Sequence, residues 1–137
     1  MLYSKIVVAY DGSETSEKAL DSALKIAKSN HFSKLHIIHV SNVTTYVLGE
    51  AIYVPQALDY SDEVIAKIKS KIGDHSDVHI EVRSGSIAKE ILHYAGEVNA
   101  DLIVIGSRGL NGLGEFVLGS VSHNVAQHAK VPVLIIK

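Results

Sequence analysis

Between Gly106 and Ser120 the chain reads Gly-Ser-Arg-Gly-Leu-Asn-Gly-Leu-Gly-Glu-Phe-Val-Leu-Gly-Ser, and this stretch holds five of the ten glycines. It follows an apolar run, Asp101-Leu-Ile-Val-Ile105, and leads into a helical pattern from Ser120. A strand, a glycine-rich loop and a helix N-terminus form an arrangement that binds phosphate. Glycine lets the backbone turn tightly and approach a ligand closely. The unsatisfied N–H groups and the dipole at the helix start then favour an anion. The chemistry implied is nucleotide binding.

A second chemistry-bearing turn is Val8-Ala9-Tyr10-Asp11-Gly12-Ser13, at the end of the first apolar run. A carboxylate above a central strand can bind a sugar hydroxyl, an adenine amine or a metal ion. Asp11 can equally cap the following helix, a job for which Ser13 competes.

The glycine-rich stretch departs from two better-known phosphate loops. Gly114 and Gly119 have the P-loop spacing, but Ser120 follows where that loop needs a lysine. The dinucleotide fingerprint belongs after the first strand of its unit, and Gly106-x-x-Gly109 does not match its spacing. Catalytic and metal readings find less support. No Gly-x-Ser-x-Gly elbow occurs, and neither Ser107 nor Ser120 has a base at a readable distance. Of the eight histidines, His36 and His39 fall on opposite faces of a strand, and His123 and His128 diverge on a helix. No metal site and no catalytic residue are expected.

The elements that must position these residues are legible as alternating patterns. Five β-rich runs are Lys5–Tyr10, Leu35–Val40, Val78–Arg83, Asp101–Ile105 and Val131–Ile136. Three are nearly continuous aliphatic stretches, as expected of strands covered on both faces. Helical patterns separate them: Ser13–Ser29, with Asn30 as C-cap; Pro55–Ile72, ended by Gly73; Ser86–Val98, with Ser86 as N-cap; and Ser120–Ala129. Alternation of this kind predicts an α/β fold with a parallel sheet. Segment Ser41–Val54 fits neither period and reads as a long loop over the carboxyl end of the second strand. The last strand ends the chain at a sheet edge, where Pro132 is tolerated.

Composition bounds the function. The 137 residues make one domain, 47% of them apolar, with a net charge of -2 and no block of like charge. That charge pattern predicts no nucleic-acid surface. With no cysteine, disulfides and thiolate metal sites are impossible. No apolar run is long enough to span a membrane, and the first residues lack a signal-peptide apolar core, so a cytoplasmic protein is expected.

Gly106-x-x-Gly109, nine residues, then Gly119-Ser120 resembles the nucleotide motif of the universal stress protein family. The flanks agree. Asp101–Gly109 is similar to that family's fourth strand and loop, and Val8–Ser13 to its opening strand and turn. Gly85-Ser-Ile-Ala88 is similar to the start of its third helix, and Val131-Pro-Val-Leu-Ile-Ile136 to its last strand. The resemblance implies a single-domain, three-layer α/β/α sandwich of the Rossmann-like, adenine nucleotide α-hydrolase-like type. Its five-stranded parallel sheet would run in the order 3-2-1-4-5. It also implies the ATP-binding branch of the family, acting in stress response as a homodimer through Val131–Ile136, with an unknown protein partner. Carried over by residue, Tyr10, Asp11 and Gly12 border the nucleotide and Val40 meets the adenine through its backbone. Ile105, Gly106, Arg108 and Gly109 reach the ribose and phosphates, and Gly119, Ser120, Val121 and Ser122 hold the phosphates. The ligand is ATP or another adenine nucleotide, and Mg²⁺ arrives with it. A slow ATP-hydrolysing enzyme and an interaction module with a vestigial pocket are the alternatives.

Overall fold

A computed structural model describes residues 3–30, 33–41, 46–48, 51–53, 58–74, 77–108 and 119–137. In chain order the elements are β1 (Lys5–Ala9), α1 (Glu14–Lys28), β2 (Lys34–Ser41), β3 (Tyr46–Leu48), β4 (Ala51–Tyr53), α2 (Leu58–Ile72), β5 (Val78–Ser84), α3 (Ile87–Glu97), β6 (Leu102–Gly106), α4 (Ser120–His128) and β7 (Val133–Ile136). Five strands form one sheet in the order β5-β2-β1-β6-β7, with every neighbouring pair parallel. Counting only those five strands along the chain, the order is 3-2-1-4-5, as the resemblance implies.

Strand alternation sends residues to two cores. Ile6 and Val8 of β1, Leu35 and Ile37 of β2, and Leu102 and Val104 of β6 pack under α1 and α2. Val7, Ile38, Ile103 and Ile105 pack on the opposite face under α3 and α4. In α1 the apolar stripe is Ala19, Leu20, Ala23, Leu24 and Ala27, all buried. Small alanines in that stripe let the helix lie close to the sheet, and the same face reaches β6.

Several boundaries differ from expectation for local reasons. Segment 41–54 is not wholly a loop: β3 and β4 pair antiparallel, Tyr46 opposite Tyr53. Three-residue strands are too short to establish a period of two in sequence. Residues 42–45 and 54–57 lie outside the described residues, and with them the expected start of the second helix at Pro55. The C-cap of α1 is Ser29 rather than Asn30. Ser29 keeps a right-handed conformation and donates its N–H to the carbonyls of Lys25 and Ile26 at 3.2 Å, so no left-handed residue is called for there. Gly73 ends α2 as expected, with φ +52. The last strand begins at Val133, because Pro132 has no N–H to give and contributes only its carbonyl, to Ile103 N at 3.0 Å.

On the α3 side a polar cluster fastens that helix to the edge strand β5. Arg83 stacks on Tyr94 at 4.9 Å and pairs with Glu81, Glu90 and Glu97. Buried His36 meets the Tyr94 hydroxyl through Nδ1 at 2.9 Å. Burial, then the nearby Lys34 and His79, push His36 below its ordinary value of 6.5. The folded protein therefore takes up this proton less readily than the unfolded chain. Stability from this site is complete above the unfolded value of about 6.5 and is lost as pH falls through the depressed folded value. His36→Phe is expected to flatten the decline of melting temperature between about pH 6.5 and pH 5. A slope equal to that of the unaltered protein would assign the acid sensitivity to other groups.

At the opposite edge, β7 exposes Leu134. Among the described residues no helix is long and apolar enough to cross a membrane.

Candidate nucleotide-binding site

The strand order reverses between β1 and β6. The chain leaves β1 into α1 on one face, and leaves β6 toward α4 on the other. A crevice opens between diverging connections of this kind, at the carboxyl ends of the strands. Tyr10, Asp11 and Gly12 follow β1, while Ile105, Gly106 and Arg108 end or follow β6. Val40 lies near the end of β2, next to β1. Gly119, Ser120, Val121 and Ser122 start α4. Eleven of the twelve residues expected at the site thus lie at one end of the sheet; Gly109 is outside the described residues.

The turn after β1 is built from its own side chains. Asp11 Oδ1 accepts the Ser13 N–H at 2.8 Å, a local bond that needs the left-handed Gly12, φ +87, between them. Ser13, not Asp11, is the N-cap of α1, and its hydroxyl accepts the Ser16 N–H at 3.3 Å. One Asp11 oxygen is therefore engaged in the turn, and the residue remains partly exposed.

Tyr10 points the other way. It continues the alternation of Ile6 and Val8 and is 2% exposed, inside the core beneath α1 and α2. Its hydroxyl donates to Glu17, which Lys71 of α2 also holds, and Lys71 bridges to Asp21 at 3.1 Å. Burial and the Glu17 carboxylate push the Tyr10 phenol well above its ordinary value. Burial alone would raise Glu17, but hydrogen bonds from Lys71 and Tyr10 outweigh it and keep the carboxylate ionised. The Tyr10 side chain is therefore turned away from the nucleotide expected beside it.

The two sides are stitched at the base. The Arg108 carbonyl accepts the Thr15 hydroxyl at 2.5 Å and lies 3.5 Å from the Ser13 hydroxyl. Gly106 fits under α1 because it has no side chain: a Cβ there would stand 2.8 Å from the Thr15 carbonyl carbon and 2.9 Å from the Ser16 nitrogen. Ser107 is a junction. Its N–H donates to Ile136 O at 2.7 Å, and its carbonyl accepts the Gly119 N–H at 2.7 Å and the Ser122 hydroxyl at 2.8 Å.

That junction decides what α4 offers. Gly119 is the N-cap, with no side chain to cover the helix end, and the first turn holds no acidic residue. The N–H groups of Ser120, Val121 and Ser122 have no intrahelical partner by position. The Gly119 N–H and the Ser122 hydroxyl, by contrast, are directed to Ser107, and Ser122 is buried. Three main-chain donors and the exposed Ser120 hydroxyl are what this helix end could offer an anion. Among the described residues no group of three or more His, Cys, Asp or Glu is placed to hold a metal ion.

Sequence reasoning missed His39, Thr15, Ser16 and Glu17, which hold the site from below. His39 Nδ1 lies 3.0 Å from the Tyr10 carbonyl, and the Ser16 hydroxyl accepts the Asp11 N–H at 3.3 Å. The alternation of β2 places His39 on the α1 side, a signal present in the sequence. Its reach to the neighbouring strand was not.

Known proteins align with this chain along nearly its whole length. The profile of the Universal stress protein family matches residues 2–137. The universal stress protein YxiE of Bacillus subtilis is 40% identical over 151 residues, covering 99% of this chain and 100% of that protein. A universal stress protein solved in complex with cAMP superposes with a TM-score of 0.69 at 31% identity, over 100% of this chain and 98% of the other. The universal stress protein of Archaeoglobus fulgidus in complex with dAMP gives 0.67 at 28% identity, over 100% of both chains. With the family profile and a full-length relative in agreement, this chain belongs to the universal stress protein family.

Proposed function

We propose that the chain is an adenine-nucleotide-binding regulatory protein whose ligand is ATP. The observation that carries this reading is the α4 N-terminus, without a side-chain cap or an acidic first turn, tied through Ser107 to the crevice between β1 and β6. A phosphate chain there gains three main-chain donors and the helix dipole. Arg108 stands in the same loop as a cation for the phosphates. A triphosphate carries more charge than one guanidinium offsets, and Mg²⁺ suits phosphate oxygens, so the ion enters with the nucleotide.

The adenine end is supported separately. The Ile38 carbonyl faces β1 and accepts the Tyr10 N–H at 3.0 Å. Two residues on, the Val40 main chain faces the same side, where β1 has ended. A donor and an acceptor side by side match the edge of adenine, and relatives solved with cAMP and dAMP carry adenine ligands. Nucleotide binding would act on association: the exposed edge strand β7 suits pairing with a second copy, and a protein partner would read the change.

The test is calorimetric titration of nucleotide-stripped protein with ATP and Mg²⁺, against AMP, cAMP and GTP. Micromolar ATP binding with little response to GTP is the expected result. Tighter binding of AMP or cAMP would move the ligand to a monophosphate. Equal binding of GTP would remove the adenine assignment, and no binding at all would leave an interaction module with a vestigial pocket. Turnover measured on the same sample decides whether ATP is slowly hydrolysed.

A further inference from the structure

The peptide unit joining Tyr10 to Asp11 is held at both ends. Its carbonyl oxygen lies 3.0 Å from His39 Nδ1, and its N–H donates to the Ser16 hydroxyl at 3.3 Å. A carbonyl oxygen only accepts, so Nδ1 of His39 carries the hydrogen; in the neutral ring Nε2 then holds the lone pair. His39 is 7% exposed and reaches this oxygen from the neighbouring strand.

The ladder gives this contact its meaning. The last paired residues of β1 and β2 are Ala9 and Ile38, and the Tyr10 N–H still donates to the Ile38 carbonyl. The next rung of a continuing parallel pair would run from the Val40 N–H to the Tyr10 carbonyl. His39 supplies that carbonyl with a side-chain donor instead. The ladder stops one rung early, the Val40 N–H is left to the crevice, and β1 turns off into Asp11 and Gly12.

We propose that His39 is a positioning residue of the nucleotide site: it fixes the Tyr10–Asp11 peptide and keeps the Val40 main chain available to the ligand. This rests on the adenine-nucleotide reading above. An apolar side chain at position 39 would leave a buried carbonyl unpaired or let Val40 close onto it, and both outcomes weaken binding. Asparagine places an N–H the same number of bonds from Cβ as Nδ1, whereas glutamine places it one bond further.

The experiment compares unaltered protein with His39→Asn, His39→Gln and His39→Leu by calorimetric titration with ATP and Mg²⁺. Thermal unfolding of each variant monitors folding. Long-range proton–nitrogen NMR of the ligand-free, unaltered protein reads the His39 tautomer. The ring is expected to carry its hydrogen on Nδ1. His39→Leu and His39→Gln are expected to bind ATP about ten-fold more weakly, and His39→Asn within about three-fold of the original. A hydrogen on Nε2 alone, a leucine variant that binds normally, or an asparagine variant as weak as leucine overturns the proposal. If the leucine variant does not fold, the Asn–Gln pair and the tautomer decide. If unaltered protein binds no adenine nucleotide, the functional reading falls. Amide exchange in His39→Leu then decides the clamp: faster exchange at Asp11 or slower exchange at Val40 supports it, and unchanged exchange at both overturns it.

Discussion

Gly106→Ala is expected to cost about 3 kcal/mol of folding stability, the upper end of the range for forcing one extra carbon into a packed interior. The new Cβ would stand 2.5 Å from the Thr15 hydroxyl, 2.8 Å from the Thr15 carbonyl carbon and 2.9 Å from the Ser16 nitrogen. A side-chain tip could rotate away, but two of these atoms are backbone in the first turn of α1. That turn cannot shift freely, because Ser13 caps it and Thr15 is bonded to the Arg108 carbonyl. The reason for glycine is close approach of helix to strand rather than an unusual φ. Denaturant unfolding of the alanine variant, compared at equal slope, reads the cost. A midpoint equal to that of the unaltered protein would mean that α1 and β6 are not in such close contact.

Gly119→Val is expected to act on the ligand more than on the fold. A Cβ at this position meets the Ser107 carbonyl at 3.3 Å and Arg108 Cα at 3.4 Å, tight contacts that small shifts relieve. Loss of an N-cap glycine to a β-branched residue costs about 1 kcal/mol, which the fold survives. The added methyl groups, however, stand at the mouth of the helix dipole, where phosphate oxygens would approach the Ser120 and Val121 N–H groups. ATP affinity is expected to fall at least about 100-fold, equivalent to about 2.8 kcal/mol. Calorimetric titration of a variant with an unchanged circular-dichroism spectrum makes the comparison. Normal binding would place the phosphates away from α4.

The fold was legible because its signals are long. Aliphatic runs at β1, β2 and β6 and the alanine–leucine stripe of α1 repeat over several turns or rungs, and no tertiary contact opposes them. The β3–β4 pair was not legible, since three residues per strand give no period. Of the candidate site, the glycine spacing pointed to the end of β6 and the start of α4, whereas Tyr10, expected beside the nucleotide, turns its side chain into the core. The sequence could not reveal where hydroxyls spend their hydrogen bonds. Ser122 reads as a phosphate ligand by position, yet its side chain is turned to Ser107, 15 residues earlier. His39 was missed for the same reason: its partner belongs to another strand, and only the ended ladder makes it informative.

The Ser107 carbonyl has a consequence for how this protein can change. It receives both the Gly119 N–H and the Ser122 hydroxyl, so the chain that departs after Ser107 returns to the same oxygen. The Ser107 N–H donates in turn to Ile136 O, so the start of α4 and the end of the edge strand β7 are fastened to one residue. A displacement of α4 therefore pulls on the same peptide that anchors β7, and the two cannot move independently while these bonds hold.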